Sequence, residues 1–284
     1  MAERLADIVT EIQNVKQLDA VVTATRGIAA SRAQKGRSLL AGIEAYTDVV
    51  SVAIGKALSL LPLAPAVSPV HRRAKLGLIL FCAEQGFAGA FSERVLDAAS
   101  GDLASAVNLV IGTRGVTIAS ERDIKPAWTA PMVTHVDAIP GCANKLADAL
   151  YAYIAAGRVE QADILFSRWS PASGIVVDRH SLLPLDFGRF VRPLEKRPPV
   201  TNLAAHVLLE RLAAEYVFAQ LCQATTNAFQ AENECIRGRE RSPHDRDGVG
   251  KEQHRNETRR APATRTTAAA RGDHHGDRRA RGWV

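Results

Sequence analysis

At 284 residues, 46% hydrophobic but only 5% aromatic, the chain is long enough for one or two domains with a real core, and its Ala- and Leu-rich apolar share favours long helices over an all-β sandwich. The net charge of +6 is local: residues 236–284 hold 13 Lys/Arg against 7 Asp/Glu, whereas the rest of the chain carries 23 of each. A nucleic-acid reading therefore rests on that tail alone, and no uninterrupted apolar run of about 18 residues marks a membrane span.

The first residues, MAERLADIVTEIQ, are charged and amphipathic, without the apolar stretch and small-residue cleavage site of a signal peptide, so the chain reads as cytosolic. Residues 3 to about 61 read as one helical region. Leu5, Ile8, Ile12, Val15, Leu18 and Val22 recur at three- and four-residue steps, a stripe narrow enough for a coiled-coil seam. Gly27 is its weak point, costing about 1 kcal/mol against Ala. Pro62, Pro65 and Pro69 end it.

From about 73 to 190 the texture changes to an α/β unit. Leu76–Phe81 and Val107–Gly112 are short apolar runs of the kind buried parallel strands show, with helical spacing from Phe91 to Ser105 between them. Ile139-Pro140-Gly141 reads as a turn, Ala143–Ala156 as a second helix, Ala162–Phe166 as a third strand, and Ser181–Leu185 closes the unit. Helix returns from about Asn202, with Leu208, Leu212, Tyr216 and Ala219 on one face, and runs to about Glu234. Beyond Cys235 the only large apolar residues are Ile236, Val249, Trp283 and Val284, which predicts a disordered basic tail over 236–284.

Three segments carry a resemblance. Val21–Arg32 (VVTATRGIAASR) is similar to the "ITKAMxMVAAxK" stretch of the gamma subunit of F-type ATP synthases, Glu84–Ser92 (EQGFAGAFS) resembles its "DRGLCGGLN", and Ser181–Leu185, Glu215–Phe218 and Ala231–Glu234 follow in the order that family uses. The likeness spans about residues 3–235. Thr25 and Gly27 stand where the common pattern has methionines and Gln85 where it has arginine, which resembles the divergent, alternate-type F-type ATPases. The resemblance implies an antiparallel coiled coil of N- and C-terminal helices (1–61 and 202–235) with an inserted Rossmann-like α/β domain (73–190). It further implies a rotor with no catalytic residues and no cofactor, turning inside a ring of alpha and beta subunits and joined below to the epsilon subunit and the membrane c-ring. Such a rotor sits peripherally on the cytoplasmic face of the cell membrane, without inserting and without binding nucleic acid. The implied partner-contact residues are Thr25, Arg26, Gly27, Ile28, Ala29, Ala30 and Arg32 on the first helix, and Glu84, Gln85, Gly86 and Gly89 on the glycine loop. Small residues such as Gly27, Ala29 and Ala30 suit a close helix approach or a smooth bearing surface.

The tail reads as a shifted reading frame. Codons for Gly272–Arg279 exist that, read one base later, give Glu-Ile-Thr-Thr-Glu-Ile-Val-Glu, similar to the family's C-terminal "EITxEIxEI". The same shift over Gly250–Glu257 permits Ala-Lys-Ser-Asn-Thr-Ala-Thr-Lys, similar to its "AxxNA" helix.

Other chemistry is weakly signalled. Gly86-Phe87-Ala88-Gly89 follows a strand but lacks the GxGxxG spacing and any following GKS or GKT, so a tight turn outweighs a phosphate cradle. His274-His275 with Asp273 and Asp277 has no fixed geometry for a metal, and His71, His135, His180 and His206 share no motif. Cys82, Cys142, Cys222 and Cys235 are spread singly and read as isolated buried residues. Ser170 and Ser173 lack a nucleophile-elbow context. A Rossmann-like nucleotide-binding enzyme and a nucleic-acid binder acting through the tail are the rival readings.

Overall fold

A computed structural model of the chain describes residues 2–61, 74–192 and 199–238, all within one compact unit. Ala2–Ser59 form a single helix, α1, whose 58 residues give a rod about 87 Å long. By length and composition α1 is apolar enough to cross a bilayer. Its C-terminal half instead packs on protein. Ala29, Ala33, Gly36, Thr47, Val50, Ile54 and Ala57 are buried and Leu40 and Ile43 half-buried. These positions alternate in steps of four and three, the spacing of a two-helix seam.

The partner is α5, Ala205–Ile236, which runs antiparallel to α1. Val50, Ile54 and Leu58 cluster with Leu209, Leu212 and Tyr216 at one end, while Gly36 lies against Phe229 and Gln230 at the other. A Cβ on Gly36 would stand 3.3 Å from Gln230 Cβ and Phe229 Cδ1, so glycine is what lets the helices come this close. Gly27, expected among the close-approach residues, has nothing within 4 Å of its Cβ direction.

Between the two helices lies a head built on a five-stranded mixed sheet. Its strands are β1 (Leu76–Phe81), β2 (Val107–Ile111), β3 (Trp128–Ala130), β4 (Gln161–Ser170) and β5 (Gly174–Leu183), in the order β3-β2-β1-β4-β5. The first four are parallel and β5 returns antiparallel to β4. Alternate residues of β1 serve opposite faces. Leu78 and Leu80 pack with Val95, Leu96, Ile118 and Ala119 of α2 (Phe91–Ala98) and α3 (Thr113–Glu121). Ile79 and Phe81 pack with Leu146 and Leu150 of α4 (Ile139–Ala155) and with Val217, Leu221 and Phe229 of α5. Thus α5 serves both the seam and the head's core.

That double duty explains a difference from the sequence reading. The stripe Leu208, Leu212, Tyr216, Ala219 describes only the start of α5; from Ala224 to Cys235 every residue is buried. A helix packed on all sides must satisfy its polar groups locally. Thr225 and Thr226 donate to the carbonyls of Leu221 and Cys222 at 2.7 Å, and Asn233 Nδ2 donates to Phe229 O at 2.8 Å.

Other expectations need correction. Ile139-Pro140-Gly141 is the first turn of α4, where proline forfeits no helical hydrogen bond. The helix expected over Phe91–Ser105 stops at Ala98 and continues as turns. The closing strand starts at Gly174, and α3 and β3 were not anticipated. Cys82, Cys142, Cys222 and Cys235 are buried and form no disulfide, and burial pushes the Cys82 and Cys222 thiols up to about 12. The expected disordered tail lies, from residue 239 onwards, outside the described residues.

Candidate functional site

The glycine loop, 82–90, leaves the C-terminal end of β1 and meets α5. Its Glu84 and Gln85 are held from two directions. Glu84 faces the sheet: Oε2 accepts from the backbone N–H groups of Thr113 (2.9 Å) and Met132 (2.8 Å), and Oε1 accepts from Thr113 Oγ1 (2.7 Å). One carboxylate thereby ties together the loops after β1, β2 and β3. From α5, Glu232 Oε1 accepts the backbone N–H groups of Glu84 and Gln85, both at 2.8 Å.

Burial pushes the Glu232 carboxyl up to about 7, with the Glu84 charge adding to the rise and the two amides and Arg32 of α1 opposing it. Beside it, Arg37 Nη2 donates to Oε1 of the fully buried Glu234 at 2.9 Å, with its guanidinium 5.3 Å from the Trp169 ring centre. Arg37, Glu44, Trp169 and Gln230 line an open cleft of about 900 Å³ next to this pair.

Tight packing dictates the glycines of the neighbouring loop. Gly112 has φ +105°, and a Cβ there would sit 2.4 Å from Cys82 O, so no other residue fits. Ser170 and Ser173 bond each other's hydroxyls at 2.6 Å across the β4–β5 turn, a turn feature rather than a nucleophile.

The implied contact residues divide into two sets. Arg32, Glu84 and Gln85 are brought together around Glu232. Ala29 is buried in the seam, and Thr25 and Ala30 are half-buried. Arg26, Gly27, Ile28, Gly86 and Gly89 are exposed, and Phe87 at the loop tip is 77% exposed. Glu84's carboxylate is occupied by internal donors, so the loop's outward chemistry lies at Gly86–Gly89. The loop's leading amides, which a phosphate would need, are filled by a carboxylate, and like charge there opposes an anion.

Sequence reasoning passed over Glu232, Glu234, Arg37 and Gly36 as individual residues. On α5, Asn227, Gln230 and Asn233 give the run the polar texture of an exposed face, so no signal in the sequence singled out Glu232 or Glu234.

Two long antiparallel helices bearing a head inserted between them give the chain the architecture of a stalk. A family profile described as ATP synthase matches residues 4–237, and the chain belongs to the gamma-subunit family of ATP synthases. It resembles a chain of the Tetrahymena thermophila mitochondrial ATP synthase central stalk and c-ring structure, with a TM-score of 0.52 and 14% identity, covering 77% of this chain and 96% of that one. Two chains from Euglena gracilis mitochondrial ATP synthase structures, one an OSCP/F1/c-ring assembly and one a rotor, each align with a TM-score of 0.41 over 81% of this chain. They cover 89% and 98% of those chains, at 11% and 10% identity. No curated relative matches significantly. Membership of this family makes the chain a rotor subunit of an ATP synthase complex.

Proposed function

We propose that this chain is the turning axle that couples transmembrane ion flow to ATP synthesis or hydrolysis, itself performing no chemistry. The observation that carries the reading is the continuous α1 rod seamed to α5, with the head inserted between them. A rod of this length transmits rotation from a head at one end to a ring of catalytic subunits around the other. Its differing faces then favour different conformations of the subunits it touches, which is differential binding to alternative states. On this reading the exposed residues Arg26, Gly27 and Ile28 bear on the alpha and beta subunits, and the loop tip at Gly86 and Gly89 docks in the same assembly. The head joins the epsilon subunit and the c-ring, peripherally at the cytoplasmic face. Co-expression with the alpha and beta subunits of the same ATPase tests this: co-purification supports the reading, with assembly expected to be weak or to fail for the chain as it stands and to be stable once the next-frame sequence is restored. Nucleotide binding by the isolated chain at micromolar strength would favour the rival enzyme reading.

We also propose that residues 236–284 come from a shifted frame whose in-frame counterpart continues α5 along α1. Two facts support it. The family match stops at residue 237. Ile8, Ile12, Val15 and Val22 on α1 lie in the same four-three register as the buried seam yet are 37–65% exposed. Sequencing the coding DNA across Cys235 decides it, since the proposal requires an open, helix-coding next frame.

A further inference from the structure

The contacts that fix the glycine loop to α5 go beyond subunit membership. Apolar packing already lies there, with Ala83, Ala88 and Phe91 against Ala231 and Cys235. Such contact is non-directional and tolerates sliding. Two hydrogen bonds from adjacent backbone amides to one buried carboxyl oxygen do not, because both must lengthen together when the loop shifts along the helix. Glu232 supplies them from a site only 3% exposed. The groups facing it are Arg32 from α1, Glu84 from the loop and the Cys82 thiol at the end of β1.

We propose that Glu232 is the pin that fastens the glycine loop to α5, holding the loop in register on the helix so that the two turn as one body. The proposal rests on the rotor reading for its purpose, but its test needs no partner subunit, so its failure leaves that reading standing.

Proton linkage gives the pin a signature that space-filling lacks. The buried carboxyl binds its proton more tightly with the loop seated than with the loop lifted and Glu232 wet. Rising pH therefore favours lifting: the hold is fullest below the ordinary carboxylate range and weakens as pH rises towards and through about 7.

Amide hydrogen exchange on the full-length chain, followed by mass spectrometry and corrected for intrinsic rates, reads the pin directly. In the wild type, protection of residues 84–90 falls about tenfold or more between about pH 6 and about pH 8.5, while that of α4 does not. Glu232→Gln keeps the acceptor oxygen without the charge, and its loop protection stays level across that range. Glu232→Ala loses about tenfold or more at both ends. Arg32→Gln moves the wild-type midpoint upwards, because the cation that favours the carboxylate is gone. The proposal is overturned if Glu232→Ala protects the loop as well as the wild type does, or if Glu232→Gln shows the wild-type pH profile. Should Glu232→Ala fail to fold, the comparison of wild type with Glu232→Gln decides alone.

Discussion

The two halves of α1 share one sequence pattern and have opposite surroundings. Stepping back from the seam residue Ala29 in threes and fours reaches Arg26, Val22, Asp19, Val15, Ile12 and Ile8. From Ala29 onwards the same register is covered by α5; before it, Ile8 is 55%, Ile12 48% and Val15 65% exposed. Periodicity thus reports the face a helix is built to cover, and only the neighbour decides whether that face leaves water. The covered half draws its stability from burial of roughly 1.5–3 kcal/mol per large side chain, which the upper half forgoes.

Substitutions on either side of Ala29 test that contrast. The largest effect belongs to Phe229→Ala, which empties a fully buried ring from the seam and the head's core together. It is expected to cost about 3–5 kcal/mol by denaturant titration. Next is the pH dependence of stability. Because Glu232 rises from 4.5 to about 7 on folding, the folded state binds the extra proton and stability falls as pH increases from about 4.5 to 7, by about 3 kcal/mol. Glu232→Gln removes that slope, and unfolding midpoints at several pH values measure the difference. Gly36→Val forces side-chain atoms into a 3.3 Å approach and is expected to cost about 1–3 kcal/mol, seen as a lower thermal midpoint. Smallest is Ile12→Ala in the exposed half, within about 0.5 kcal/mol of wild type. In a chain whose next-frame sequence is restored, the same change should cost about 2–5 kcal/mol, so this pair of measurements tests directly whether a partner helix belongs there.

Strands β1 and β2 were legible because short, largely apolar runs, interrupted only by Gly77 and Asn108, leave few alternatives to a buried strand. The head's smaller parts were not. Helix α3 buries only Gly115, Ile118 and Ala119, too few to mark a face, and β3 is a three-residue edge strand held by its pairing with β2. Pro140-Gly141 carries the signal of a turn and of a helix start alike, and the packing of Ile139 and Cys142 into the core chose the helix. At the junction, Gly86 and Gly89 announced a loop, but nothing in their spacing named Glu232, which lies 147 residues beyond Gln85, whose amide it accepts.

By itself the sequence determined the long apolar-striped helix, its ending at the proline cluster, the alternation of strand and helix in the middle, and the confinement of the net positive charge to the tail. Each follows from side-chain size, backbone restriction or charge, which act over a few turns of chain. Tertiary structure alone decided that Ala224–Cys235 of α5 are all buried, that Gly36 stands where the two helices come closest, and that a carboxylate on α5 holds the loop after β1. Those outcomes depend on which distant surfaces meet, and desolvation is a property of the meeting rather than of either segment.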